Sequence, residues 1–169
     1  MILVLVGEDG AGAHDLRRMA ARGGRLYWAA APSQYYAEPK RLAALGYLDA
    51  RSEPGRTHSR THYTLTERGR EALRDWLATP APFPRLQLEA PVRVLAADLV
   101  EPEVMRESLE ALRKELHEQI GQLDVAEEIA ASLPHRERWL LLNHRLSRRL
   151  VEAHLAWLDE VDEQLGRAR

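Results

Sequence analysis

The stretch Thr79-Pro80-Ala81-Pro82-Phe83-Pro84 constrains this chain more than any other. Three prolines at alternate positions have no N–H to give to a helix or a sheet, and each fixes its own φ near roughly −65°. The segment reads as a stiff linker that divides the 169 residues into two units. The same cut separates charge. The whole chain carries 24 Lys+Arg against 26 Asp+Glu, but residues 1–80 hold 12 cations and 9 acids, net +3, leaving 12 − 17 = −5 for the rest. The first unit therefore suits a polyanionic partner better than the second does.

Other function classes fall away on composition. With 45% hydrophobic residues and a net charge of −2, the chain should fold rather than stay disordered. It has no cysteine, which removes disulfide scaffolds, zinc ribbons and thiol enzymes. The longest apolar run, Ile2 to Val6, is far short of the roughly 18–20 residues that cross a bilayer, so no membrane association is expected. No basic segment precedes that run as in a signal peptide, and a cytoplasmic location is expected. No Gly-x-Ser-x-Gly elbow, phosphate-binding glycine loop or His-Glu-x-x-His pair occurs, so neither an enzyme nor a cofactor is expected. His58 and His62 are four apart but fall in a hairpin, where that spacing does not gather metal ligands, and no metal is expected.

The first unit reads as a series of short elements. Ile2 to Val6 is either a strand or the end of a buried helix, stopped by Gly7-Glu8-Asp9-Gly10. Ala13 to Ala21 places Leu16, Met19 and Ala20 on one helical face and Arg17 and Arg18 on another, with Gly23-Gly24 beyond its end. A second helix starts at Ser33 as N-cap and runs to Leu45, with Leu42 and Leu45 turned inward and Gly46 just past its end. The period then changes to two. Tyr47 to Arg51 and Thr61 to Leu65 form two strands around a polar loop, with Tyr63 and Leu65 in the core. Thr66 caps a following helix with Leu73, Trp76 and Leu77 on one side.

Beyond the linker two long helices are expected. Between Glu103 and Leu133 the positions Leu109, Leu112, Leu116, Ile120, Leu123, Ala126, Ala130 and Leu133 step by three or four. After Pro134 a helix from about Arg136 to Leu165 carries Leu140, Leu150, Val151, His154, Leu158, Val161 and Leu165. Such a pair would form an antiparallel hairpin with apolar surface left over, for which a second copy of the chain is the simplest cover. His144 and His154 read as satisfied interface histidines. Trp139 and Trp157 read as core or dimer-seam anchors, with the lining of an effector pocket as the second reading. Glu127-Glu128 and Asp159-Glu160 read as solvated charges.

Helix, helix, two-stranded wing and helix is the order of a winged helix-turn-helix, whose second motif helix enters the DNA major groove. Ser33, Gln34 and Tyr35 start that helix, where side chains reach base edges and the dipole attracts phosphate. Lys40 and Arg41 follow, and the wing offers Arg56, His58, Ser59 and Arg60. Tyr36 is open between phosphate contact and packing beneath the helix.

These residues carry a resemblance. Ser33-Gln34-Tyr35-Tyr36-Ala37-Glu38-Pro39-Lys40-Arg41-Leu42, then Leu45-Gly46-Tyr47-Leu48, and His62-Tyr63-Thr64-Leu65-Thr66-Glu67-Arg68-Gly69-Arg70-Glu71-Ala72-Leu73, resemble the PadR-type transcriptional regulators. With the Tyr27-Trp28 pair and the helical second half, the chain resembles the longer type with a virulence-activator-like C-terminal domain. The resemblance implies a homodimer, an inverted-repeat operator in double-stranded DNA, usually repression, and release by a small molecule or other signal. It also puts Ser33, Gln34, Tyr35, Tyr36 and Lys40 on the DNA-facing helix, and Arg56 and Arg60 on the wing. The expected fold class is mainly α with a small β-hairpin wing. It comprises a winged helix-turn-helix at 1–79, a proline-rich linker at 80–86 and an antiparallel helical dimerisation domain at 87–169.

Two departures stand out. Relatives of this type start several residues earlier, with a longer first helix, so Met1 is expected to be an internal start. Pro39 falls at the sixth helical position, where an interior proline costs about 3 kcal/mol or more, so a kink or a later helix start is expected. Both motivate an alternative: a winged-helix adaptor that binds a protein partner through its helical hairpin and does not read DNA.

Overall fold

A computed structural model describes residues 1–21, 28, 30–54, 59–84 and 87–167. The chain separates into two units, Met1–Phe83 and Pro84–Arg169. The first contains helices α1 (Ile2–Val6), α2 (Ala13–Ala21), α3 (Gln34–Ala44) and α4 (Glu67–Ala78), and strands β1 (Ala11–Gly12), β2 (Leu48–Glu53) and β3 (Arg60–Leu65). The second contains α5 (Glu89–Val94), a 3₁₀ turn at Ala97–Leu99, α6 (Pro102–Ala130) and α7 (Glu137–Arg167). Among the described residues no helix is long and apolar enough to cross a membrane.

Ile2 to Val6 is helical although all five of its residues are Ile, Val or Leu and the β-branched Ile2, Val4 and Val6 favour a strand as readily. Packing decides it. Val6 is buried and Ile2, Leu3 and Leu5 rest against the core, which a strand with alternating faces would not allow. Gly7 ends the helix at φ 56°, where an L side chain would be strained. On α2, Leu16 and Ala20 are buried one turn apart, while Met19 is 38% exposed and leaves the face that sequence periodicity gave it.

The sheet has order β1-β3-β2 and is antiparallel throughout. Leu48 pairs with Leu65 and Ala50 with Tyr63, which sets Leu48, Tyr63 and Leu65 on the buried face. The two-residue β1 pairs Ala11 with Tyr63 and Gly12 with His62; it is too short to show any alternation in the sequence. The core of this unit joins Val6, Leu16, Tyr35, Leu48, Tyr63 and Leu65, with Leu42 and Leu73 packed against it.

In the second unit α6 and α7 pack along a common seam. Met105, Leu109, Leu116, Gln119, Leu123, Ala126 and Ala130 are buried on α6, and His144, Ser147, Val151, Leu158, Val161 and Leu165 on α7. With half-buried Leu112 and His154 included, both rows advance by alternate steps of three and four, a 3.5-residue repeat. That alternation puts Gln119 in the seam and leaves Ile120 half-buried beside it. A step of four from Leu116 fits the sequence equally well but leaves the seam. Asp159 and Glu127 are not free charges. Arg113 donates to Asp159 at 2.6 Å and Asp162 at 2.7 Å, and Arg148 donates to Asp124 at 2.7 Å and Glu127 at 3.2 Å.

The two histidines of α7 differ in their hydrogen bonding within the described residues. The Nδ1 of His144 and the Oγ of Ser147 are buried and lack a hydrogen-bond partner among the described residues. Burial pushes the His144 pKa down, and nearby Glu127 acts the other way more weakly. His154 Nδ1 does have a partner, the Leu150 carbonyl at 2.7 Å.

Candidate nucleic-acid interface

Helix α3 begins at Gln34, and Ser33 occupies the cap position with helical φ and ψ and no side-chain cap bond. A capping serine needs extended backbone to turn its oxygen onto the first amides. Here the entry is instead closed by a turn in which Gln34 N–H donates to the Ala31 carbonyl at 2.9 Å. The expected later start is not found: α3 runs unbroken from Gln34 to Ala44 with Pro39 inside it. Pro39 is almost wholly buried, so the ring contributes to packing what its missing N–H withholds from the helix.

At one helical turn per 3.6 residues, Ser33, Ala37, Lys40 and Ala44 share one face, and all four are exposed. Tyr36, 42% exposed, borders that face. On the opposite side Tyr35, Pro39 and Leu42 meet the core. Tyr35 is therefore a correction: at 5% exposure its ring anchors the helix instead of reaching out from it. Leu45 is corrected the other way, being 44% exposed and not turned inward.

Arg41 lies to the side of the exposed face and is held by Glu38. Its Nε and Nη2 donate to the carboxylate at 2.9 to 3.2 Å, and this bond raises its pKa. Gln34, Glu38 and Arg41 line a cleft of about 400 Å³ with Leu3, Trp28 and Trp76. Lys40 has no carboxylate partner among the described residues, and the same holds for Arg17 and Arg51. Lys40 is thus the cation on the exposed face of α3 whose charge is uncommitted.

The hairpin brings a second group of polar residues to the surface. Ser59, Arg60 and Thr61 are exposed at the start of β3. Arg60 faces Glu53 across the strands and donates to it at 3.2 Å. Arg51 lies opposite His62. Arg56 and His58 fall outside the described residues. Ala37 and Ala44 on α3 and Arg51 on β2 are exposed as well, and none of the three was expected among the site residues. Their signals were present: both alanines follow Lys40's helical phase, and Arg51 alternates away from Leu48. Small side chains at Ala37 and Ala44 let a partner approach the backbone closely, and Ser33, Tyr36 and Lys40 around them supply two hydroxyls and a positive charge. Such a face suits a polyanion with groove edges.

The far end of α3 is closed by Gly46 at φ 76°, with Tyr47 N–H on the Leu42 carbonyl and Gly46 N–H on the Ala43 carbonyl, both at 2.9 Å. Thr66 caps α4 by accepting from Gly69 N–H at 3.0 Å, as its sequence position predicts.

In the second unit, Trp157 borders a cleft of about 730 Å³ with Val94, Val100, Pro102 and Val161. Trp139 is not in the core. It is 56% exposed, with the Arg138 guanidinium 4.2 Å from its ring centroid.

Comparison with known proteins bears on both units. Residues 88–166 match the family model for the virulence activator alpha C-terminal domain. The negative transcriptional regulator PadR of Bacillus subtilis is 26% identical over 145 residues, which cover 80% of this chain and 79% of that protein. PadR in complex with operator DNA superimposes with a TM-score of 0.80 at 20% identity, covering 97% of this chain and 94% of the other. The same regulator has also been solved with p-coumaric acid, with a TM-score of 0.71 at 20% identity over 98% and 96% of the two chains. The Vibrio cholerae virulence activator AphA superimposes with a TM-score of 0.75 at 23% identity, over 99% of this chain and 97% of that one. The fold is therefore that of winged-helix regulators with a helical second unit.

Proposed function

We propose that the chain is a homodimeric DNA-binding transcriptional regulator of the PadR type, in the longer form whose helical C-terminal unit matches the virulence activator alpha C-terminal model over residues 88–166. The observation that carries this reading is the exposed face of α3, where Ser33, Ala37, Lys40 and Ala44 stand clear of the core and Lys40 has no carboxylate partner among the described residues. On this reading α3 enters the major groove of an inverted-repeat operator. Ser33, Gln34, Tyr36 and Lys40 contact bases and phosphates, and Ser59 and Arg60 lead the wing onto the backbone, with Arg56 and His58 beyond them. Arg41 adds positive field from the side while Glu38 offsets part of its charge.

The action is repression relieved by a small molecule or other signal. The negative regulator PadR, solved both on operator DNA and with p-coumaric acid, supports that direction. An adaptor without DNA binding drew in part on Pro39 as a break in the reading helix, and α3 passes through Pro39 unbroken.

The test is a mobility-shift titration of the full chain on the DNA upstream of its own gene, beside an unrelated duplex of equal length. A DNA reader gives a sequence-dependent complex that weakens steeply between about 50 and 200 mM salt. Equal and weak binding to both duplexes overturns the reading.

A further inference from the structure

Three consecutive carbonyls just beyond α3 are all taken up by the start of α4. Leu45 O accepts from Arg68 Nη1 at 2.8 Å, Gly46 O from Thr66 Oγ1 at 2.7 Å, and Tyr47 O from Thr66 N–H at 3.2 Å. The Arg68 guanidinium also lies 4.6 Å from the centroid of the Tyr47 ring. Arg68 has no carboxylate partner among the described residues, unlike Arg70 and Arg74 on the same helix. Its charge sits at the C-terminal, negative end of the α3 dipole.

We propose that Arg68, together with Thr66, is a positioning residue for DNA reading, which sets the tilt of α3 by clamping its C-terminal end. The proposal rests on α3 being the DNA-reading helix. An 11-residue helix is roughly 16 Å long, so a tilt of about 10° about a loosened C-terminus moves its first turn by about 3 Å. Hydrogen bonds to base edges tolerate only a few tenths of an ångström. Contacts from flexible cationic side chains to phosphates tolerate far more. Loosening the clamp therefore removes discrimination between sequences while leaving salt-dependent, non-specific attraction in place.

The experiment compares wild type, Arg68→Ala and Arg68→Lys as full chains. Each is titrated onto the protein's own upstream duplex and onto an unrelated one across a salt series, with thermal unfolding recorded in parallel. For Arg68→Ala the ratio of the two affinities falls about tenfold, the worth of one charge-assisted hydrogen bond, while the slope of log affinity against log salt is unchanged. Arg68→Lys keeps the charge and one donor but loses the flat face over Tyr47, so its ratio lies between the other two. An unchanged ratio in Arg68→Ala overturns the proposal whatever its unfolding temperature. So does a slope reduced by about 0.9, which marks a phosphate contact instead. If Arg68→Ala does not fold, Arg68→Lys decides, and a ratio equal to wild type overturns the clamp. A wild type with no preference for its own duplex removes the DNA reading itself, a result distinct from a failure of the clamp alone.

Discussion

Gly69 of α4 lies so close to Tyr47 that a β-carbon at Gly69 would overlap the Tyr47 carbonyl oxygen. The glycine is buried in the first turn of the helix, where residue 47 leaves α3 and enters the sheet. Alanine at this position gains up to about 1 kcal/mol in helix propensity. The overlap is with main chain, which cannot rotate away. Gly69→Ala should therefore lower stability by about 1–3 kcal/mol in urea titration, and a rise in stability would contradict the close approach.

Arg113 and Arg148 each bridge two carboxylates of the facing helix, and their side chains are about one-quarter exposed. Each, changed to Ala, should lose about 1 kcal/mol, less in high salt. Arg113 lies 11 residues from Asp124, roughly 16 Å along α6, so the two bridges share no partner and their effects should add. A double variant well below the sum in chemical unfolding would mean that the pairs are coupled.

Because burial lowers the His144 pKa below its ordinary value of 6.5, folding favours the neutral ring and the unfolded chain binds the extra proton. The contribution is complete above about pH 6.5 and is lost as pH falls toward the lower folded value. His144→Leu should remove that part of the acid sensitivity. The stability difference between variant and wild type, measured at about pH 7.5 and pH 5, should shift in the variant's favour at the lower pH. An identical difference at both would show that the ring gains a proton without penalty. Ser147→Ala, which removes the neighbouring unpartnered hydroxyl, should raise stability by about 1 kcal/mol at both values.

For DNA binding, Lys40→Ala should weaken the complex with the protein's own upstream DNA by about tenfold and reduce the salt slope by about 0.9. Arg41→Ala should do less, because its guanidinium is already bonded to Glu38. Equal losses in the two variants would show that DNA draws Arg41 away from that carboxylate.

Much of the fold was legible because it follows from local chemistry. The exact span of α2, the cap at Thr66, the glycine after α3 and the two wing strands depend on spacing, side-chain hydrogen bonding and φ. Less was legible in the candidate site. Periodicity marks a helix's inner face only where residues differ in polarity, and Tyr35 and Tyr36 are the same residue on opposite sides of that division.

The sequence by itself determined the longer helices and the two wing strands, where the charge lies, and that cysteine chemistry has no part. Tertiary structure decided what no local rule could. The seam chose Gln119 over Ile120 because a step of three keeps facing α7 and a step of four does not. The sheet acquired β1 because Tyr63 and His62 had a free edge that a two-residue segment could pair. Ile2 to Val6 became a helix because the core took residues from adjacent positions, which a strand would point to opposite faces. In each case sequence left two states close in energy, and burial against a distant segment separated them.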